Sequence, residues 1–224
     1  MEKSVAIIPA RGGSTRLKNK NIYPINGKPL IDYTIEAVLA SGCFTSVYVS
    51  TDSDEIAECA LKHENVKVYQ RPAKYATERI TVLEAIVAMM DEIDKHDVLA
   101  YFLPTCPFRN QNDIREGMKL LTPDVDSVVS ICQYDEPIQL AMKKVNDSVI
   151  PVFDNLIVGA TNSKFIQKHY RPNGGYYISW WDKLKINKNF FVGNVKGYEI
   201  PVERSVDIDL LSDIHYAEAI LNNI

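Results

Sequence analysis

Two parts of the chain carry side chains whose types and spacing suit the handling of concentrated negative charge. The first is Ala10-Arg11-Gly12-Gly13-Ser14-Thr15-Arg16-Leu17-Lys18-Asn19-Lys20-Asn21, which follows an apolar run over residues 5–9. Gly12 and Gly13 let the backbone approach a ligand closely with its N–H groups free, and Arg11, Arg16, Lys18 and Lys20 supply charge for several phosphate oxygens. That combination suggests a nucleoside triphosphate site. The loop has neither G-x-x-x-x-G-K-[ST] nor G-x-G-x-x-G, so a solvated basic loop after a strand is the competing reading. The second part is Asp207-Ile208-Asp209. In an extended segment this spacing puts both carboxylates on one side, with Ile208 facing the core. Two hard oxygen ligands suit Mg²⁺, which takes one or two protein carboxylates and fills its shell with phosphate oxygens and water. The competing reading lets Asp209 start the following helix and leaves Asp207 simply exposed.

Other candidates carry less. In Thr51-Asp52-Ser53-Asp54, Asp54 fits capping or first-turn charge for the next helix, while Asp52 fits either that role or a carboxylate facing the site. His63, His96, His169 and His215 show no ligand spacing, and packing or surface roles account for them. Cys43, Cys59, Cys106 and Cys132 form no C-x-x-C pair and sit mostly among apolar residues, as reduced core thiols do.

The elements that must position these residues alternate between short β-branched runs and helical stretches. Strands are expected over 5–8, 46–50, 66–70, 98–103 and 127–132, and helices over 29–41, 54–63, 81–94, 114–121 and 212–222. This is the rhythm of βαβ units around a doubly wound, mostly parallel sheet. Pro29 opens a helix, Gly42 closes it, and Asn110 precedes Asp113 at capping-box spacing. From about 137 to 181 the pattern changes to short strands over 143–145, 149–153 and 176–181, an expected β-rich arm inserted into one domain spanning 1–224. In open α/β sheets ligands bind beyond the carboxyl ends of strands, which selects the 9–21 loop, Thr51-Asp52, residues 104–109 and Asp207–Asp209.

Composition bounds the partners. The net charge is −4, so the cations of the 11–20 loop are a local concentration that favours a small anion over nucleic acid. No apolar run reaches membrane-spanning length and the first one is too short for a signal segment, so a soluble cytoplasmic protein is expected.

Several motifs, in order, resemble the acylneuraminate cytidylyltransferases, the CMP-sialic acid synthetases. They are Ile7-Ile8-Pro9-Ala10-Arg11-Gly12-Gly13-Ser14, Lys20-Asn21, Gly27-Lys28-Pro29-Leu30-Ile31, Ser50-Thr51-Asp52-Ser53-Asp54, Arg71-Pro72-Ala73, Pro104-Thr105-Cys106-Pro107-Phe108-Arg109, Arg171-Pro172-Asn173-Gly174-Gly175 and Ser205-Val206-Asp207-Ile208-Asp209. The resemblance implies a nucleotidyltransferase-like fold and Mg²⁺-dependent transfer of CMP from CTP to the anomeric hydroxyl of a nine-carbon 2-keto sugar acid. It implies that Arg11 and Lys20 hold the triphosphate, that Ala10, Gly12, Gly13, Asn21 and Arg71 serve the nucleotide, and that Asp207 and Asp209 bind metal. It also implies sugar contacts at Leu103, Asn173 and Tyr177, a homodimer made through the arm, and Phe190-Phe191 supplied to the neighbour's site.

Three departures bear on the sugar. Leu103 stands where sialic acid enzymes commonly have Gln, Glu78-Arg79 where they have Asp-Thr, and Ser163-Lys164 where they have Arg-Gln. A hydroxyl that Gln would satisfy loses its partner against Leu103, at a cost on the order of 1–3 kcal/mol. A deoxy, diacylamino sugar such as legionaminic acid is therefore expected, with N-acetylneuraminate the family default. An eight-carbon acid as acceptor and a non-catalytic sugar-nucleotide binder are the alternatives.

Overall fold

The computed structural model describes residues 2–222. Its elements in chain order are β1 (Ser4–Pro9), β2 (Pro24–Ile25), β3 (Lys28–Pro29), α1 (Leu30–Ser41), β4 (Ser46–Thr51), α2 (Asp54–Ala60), β5 (Val66–Gln70), α3 (Val82–Met89) and β6 (Val98–Tyr101). There follow α4 (Gln111–Leu120), β7 (Ser127–Gln133), β8 (Met142–Val145), β9 (Ser148–Pro151), β10 (Tyr170–Trp180), α5 (Trp181–Asn187), β11 (Val195–Glu199) and α6 (Leu211–Leu221). A seven-stranded sheet has the order β11-β7-β10-β6-β1-β4-β5. Its pairings are parallel except where β10 runs against β6 and β7.

The first strand shows why helices cover both faces. Every residue of β1 is buried, as in a strand enclosed on two sides. Ala6 and Ile8 join Ile31, Ile35 and Val38 of α1, Ile56 of α2 and Ile114 of α4. Val5 and Ile7 point the other way, into a cluster with Ile86 and Met89 of α3 and Trp181 and Leu184 of α5. The doubly wound sheet expected from the sequence is thus present.

Local chemistry sets the element ends. Gly42 closes α1 at φ +66°, a left-handed position that costs glycine little. Asn110 and Asp113 form the capping box of α4, and Thr81 and Glu84 form another at α3.

The strand expected to complete the arm lies elsewhere. Residues 176–181 belong largely to β10, which fills the gap between β6 and β7 in the central sheet. Tyr176 and Ile178 are fully buried there, and Tyr176 packs against Phe102 and Tyr198. These aromatics are core, because a strand with neighbours on both edges and helices on both faces can carry them. What projects from the sheet is the segment 134–169, with the β8–β9 hairpin at residues 142–151.

A third cluster, with Ile25, Leu30, Phe108, Ile208, Ile214 and Ala217, seats α6 beside the β2–β3 hairpin. It brings residues 205–209 against the loop after β6, where the Ile208 N–H donates to Thr105 O at 2.8 Å.

Candidate active site

A cavity of about 430 Å³ opens where these segments meet. Pro9 and Arg11 reach it from the end of β1, Arg71 from the end of β5, Leu103–Thr105 from the end of β6, and Asp207 and Asp209 from the segment before α6. Its size lies in the small-molecule range of roughly 300–1,000 Å³. Four cations line it (Arg11, Arg16, Lys20 and Arg71) against three carboxylates (Glu78, Asp207 and Asp209), in a chain whose net charge is negative.

The glycine loop is held by its neighbours. The Gly12 N–H donates to Asp52 Oδ1 at 2.9 Å, so this amide is occupied instead of free, and Asp52 is the tie for the loop. A Cβ at Gly12 would lie 2.8 Å from Ser53 Cβ, beside the first turn of α2, so close approach is what requires glycine there. Gly13 has open space around it. Buried Asn21 donates from Nδ2 to Arg11 O at 2.9 Å and also lines the cavity. Ala10 is buried, with its N–H on Ser50 O at 2.9 Å. Lys18 is exposed and does not line the cavity.

Arg71 is buried, with Nη2 on Ser50 O at 2.7 Å and Nε on Ser50 Oγ at 3.2 Å. Burial holds its guanidinium below the usual range, and the nearby Asp52 carboxylate opposes that shift. Arg11 donates to Thr77 O at 3.3 Å, tying the loop to the segment 75–82 on the opposite wall.

On the acidic side, Ile208 is fully buried and both flanking carboxylates line the cavity. Asp209 does not start the helix, since α6 begins at Leu211 and Asp213 completes its first-turn bonding. Each Asp209 oxygen meets a cation, Oδ1 with Lys20 Nζ and Oδ2 with Arg16, both at 2.7 Å. Asp207 is exposed and makes no hydrogen bond or ion pair among the described residues. Partly exposed pairs such as those of Asp209 contribute up to about 1 kcal/mol each, so an incoming polyanion can compete for Lys20 and Arg16.

The residues expected on the sugar side divide. Leu103 lines the cavity. Its neighbour Gly174 adopts φ +76°, and a Cβ there would stand 3.1 Å from Leu103 Cδ1 and 2.8 Å from Cys106 Sγ. The Cys106 thiol, pushed up to about 12 chiefly by burial, donates to Asn173 O at 2.8 Å. Tyr177 lies behind this wall, stacked on Tyr101 at 4.5 Å. Asn173 is buried and does not line the cavity. Phe190 is a correction: it is 2% exposed within its own chain, edge-on to Tyr101 and Tyr177, and so cannot be offered to a neighbour. Phe191 is exposed, 6.3 Å from the Tyr177 ring centre.

Arg109 lies in the 104–109 segment that the sequence singles out without giving this residue a role, and it acts as a positioning residue. It is 3% exposed, donates to the carbonyls of Leu103 and Gly175 and to Thr34 Oγ1, and so fixes the wall that carries Leu103. Burial lowers its pKa to about 10, opposed by Cys106 and the Asp113 carboxylate. An arginine following the apolar run Cys106-Pro107-Phe108 was the available signal.

A cytidylyltransferase family profile matches residues 5–117. N-acylneuraminate cytidylyltransferase of Escherichia coli is 34% identical over 96% of this chain and 51% of its own length. Pseudaminic acid cytidylyltransferase of Campylobacter jejuni is 29% identical, covering 96% of this chain and 95% of its own. CMP-N,N'-diacetyllegionaminic acid synthase of Legionella pneumophila is 30% identical, covering 97% and 95%. The chain therefore spans about half of the first relative and nearly all of the other two. Among solved structures, a CMP:2-keto-3-deoxy-manno-octonic acid synthetase complexed with CTP aligns over 99% of both chains with TM-score 0.71 at 17% identity, a likeness of fold.

Proposed function

The chain belongs to the cytidylyltransferase family, and from that premise we propose that it transfers CMP from CTP to the anomeric hydroxyl of a nine-carbon 2-keto sugar acid. The observation that carries this reading is one cavity uniting Arg11, Arg16, Lys20 and Arg71 with Asp207 and Asp209. In the reaction the sugar's anomeric oxygen forms a bond to the α-phosphorus, the bond from that phosphorus to the bridging oxygen breaks, and pyrophosphate leaves. The hydroxyl proton is released. Such transfer needs positioning and neutralisation of charge more than covalent help.

Arg11, Arg16 and Lys20 take the triphosphate oxygens, and Asn21 and Arg71 hold the loop and wall that seat the nucleotide. Asp207 and Asp209 are the residues for Mg²⁺. Two carboxylates one residue apart, both lining one cavity, fit an ion that completes its shell from phosphates and water. When bound, the ion would neutralise triphosphate charge and lower the pKa of the sugar hydroxyl. Lys20 and Arg16, leaving Asp209 for the triphosphate, free that carboxylate.

Leu103 favours an acceptor with a deoxy or acyl face toward it, and a diacylamino sugar acid such as legionaminic acid fits this. The protein acts as a homodimer through the segment 134–169, where Val149, Ile157, Val158 and Phe165 are exposed, and it works in the cytoplasm, with its four thiols free. No helix is long and apolar enough to cross a membrane among the described residues.

The test is pyrophosphate release from CTP with Mg²⁺ and sugar acid, comparing the parent with Lys20→Ala and Asp209→Asn. Loss of one transition-state charge contact predicts kcat lower by about 10²–10³ in each variant. Undiminished release in both variants would remove these residues from the reaction.

A further inference from the structure

We infer that Asn173 is a positioning residue that fixes the acidic segment, and that it makes no contact with the sugar. The inference rests on the reading that Asp207 and Asp209 serve the metal and the triphosphate. The Asn173 side chain is 4% exposed and its bonds are all internal. Oδ1 accepts from Ser130 Oγ at 2.6 Å and from the Gly175 N–H at 3.1 Å, which uses both of its lone pairs. Nδ2 donates to Ser205 Oγ at 2.8 Å. The amide orientation follows from the network: Gly175 presents a fixed backbone donor, so the oxygen must face it. Ser205 has one proton, which goes to the carbonyl of Pro201 at 3.0 Å or Ile200 at 3.2 Å, so it accepts from Asn173.

Ser205 stands two residues before Asp207, in a stretch with no strand pairing of its own. Side chains and single backbone contacts do the holding. Arg204 is clamped by the buried Asp113 carboxylate, Ser205 by Asn173, the Ile208 N–H by Thr105 O at 2.8 Å, and the Asp209 N–H by Asp213 Oδ2 at 2.8 Å. Of these contacts, the one through Asn173 ties the acidic segment to a strand of the central sheet. Asn173 occupies the stretch of β10 where the register with β7 shifts between Pro172 and Tyr177, and such an irregularity re-aims a side chain. Gly174, at φ +76°, completes the local change of direction.

Asn173→Ala, Ser205→Ala and the double variant test this. Ser205 is buried and does not line the cavity, yet its variant should reproduce that of Asn173. The Mg²⁺ concentration giving half-maximal pyrophosphate release is expected to rise about tenfold in each single variant, with the double variant no worse than either. The sugar KM is expected to stay within about twofold, since neither side chain touches the acceptor. Mn²⁺ binding to the protein–CTP complex, followed by electron paramagnetic resonance, should weaken by the same factor.

Hydrogen exchange on the ligand-free protein gives a readout independent of any reaction. The peptide covering residues 206–209 should exchange faster in both single variants, while the β10 amides paired with β6 keep their protection and report an intact sheet. A raised sugar KM in Asn173→Ala alone, or unchanged exchange over 206–209 in Ser205→Ala, would overturn the inference. If the parent protein released no pyrophosphate with any sugar acid, the proposed function would fall, and the exchange comparison would still decide whether Asn173 holds the segment.

Discussion

At the scale of single residues, charge in the cavity is exchanged between partners. Asp209 is bridged by Lys20 and Arg16, whose own expected partners are phosphate oxygens, so its charge is neutralised by contacts that a triphosphate would replace under the proposed function. Leu103 is where acceptor preference is most open to test. Leu103→Gln restores an amide to the wall, and kcat/KM for N-acetylneuraminate relative to legionaminic acid should rise about tenfold, measured in competition. An unchanged ratio would show that the wall does not read that position. That Arg11, Lys20, Asn21, Arg71 and the two aspartates share one cavity could be anticipated, because a basic glycine loop and paired carboxylates are local sequence patterns. The burial of Asn173 and Phe190 could not be anticipated, because whether a side chain faces a cavity or a buried neighbour depends on strands distant in sequence. The occupied N–H of Gly12 was hidden for the same reason, its acceptor Asp52 lying 40 residues away.

At the scale of elements, the boundaries that could be read were those written in local chemistry. Gly42 and Asn110-Asp113 were visible because turn and cap preferences act over a few residues, and β1 because its continuous apolar run marks a strand buried on both faces. β10 was misplaced because its membership is decided by β6 and β7, and its central Asn-Gly-Gly reads locally as a turn. The capping box at α3 makes a measurable prediction, because α3 begins at the cavity wall formed by Ile80, Thr81 and Val82. The Thr81 N–H and hydroxyl hold the Glu84 carboxyl below its ordinary 4.5. A depressed folded-state pKa adds stability above the unfolded value, and that stability is lost as pH falls through the folded value. Thr81→Ala should lower Tm by about 2–4 °C at pH 7. The deficit should shrink as the pH is taken below 4.5, where the parent loses the same contact. A deficit that stays constant on acidification would separate the cap from Glu84 ionisation.

At the scale of the whole molecule, the sheet gathers the site from segments far apart in sequence: the loop after β1, the ends of β5 and β6, and the stretch before α6. The nucleotide side was legible as a set of loops following strands, which is where open parallel sheets bind ligands. Of the residues expected to meet the sugar, Leu103 alone lines the cavity. The segment 134–169 carries exposed Phe165, Val158 and Ile157, and the proposed homodimer would use this surface. Sedimentation equilibrium should give twice the chain mass of 25.3 kDa, and Phe165→Asp with Val158→Asp should return the monomer. A monomeric parent would remove the arm from the account.

The central claim is met most directly by measuring Mg²⁺-dependent pyrophosphate release from CTP with N-acetylneuraminate, legionaminic acid, pseudaminic acid and an eight-carbon sugar acid in parallel, identifying the CMP-sugar by mass. The account predicts release with a nine-carbon acid, greatest with legionaminic acid, and none without Mg²⁺. Release confined to the eight-carbon acid, or CTP binding with no release from any acceptor, would contradict it.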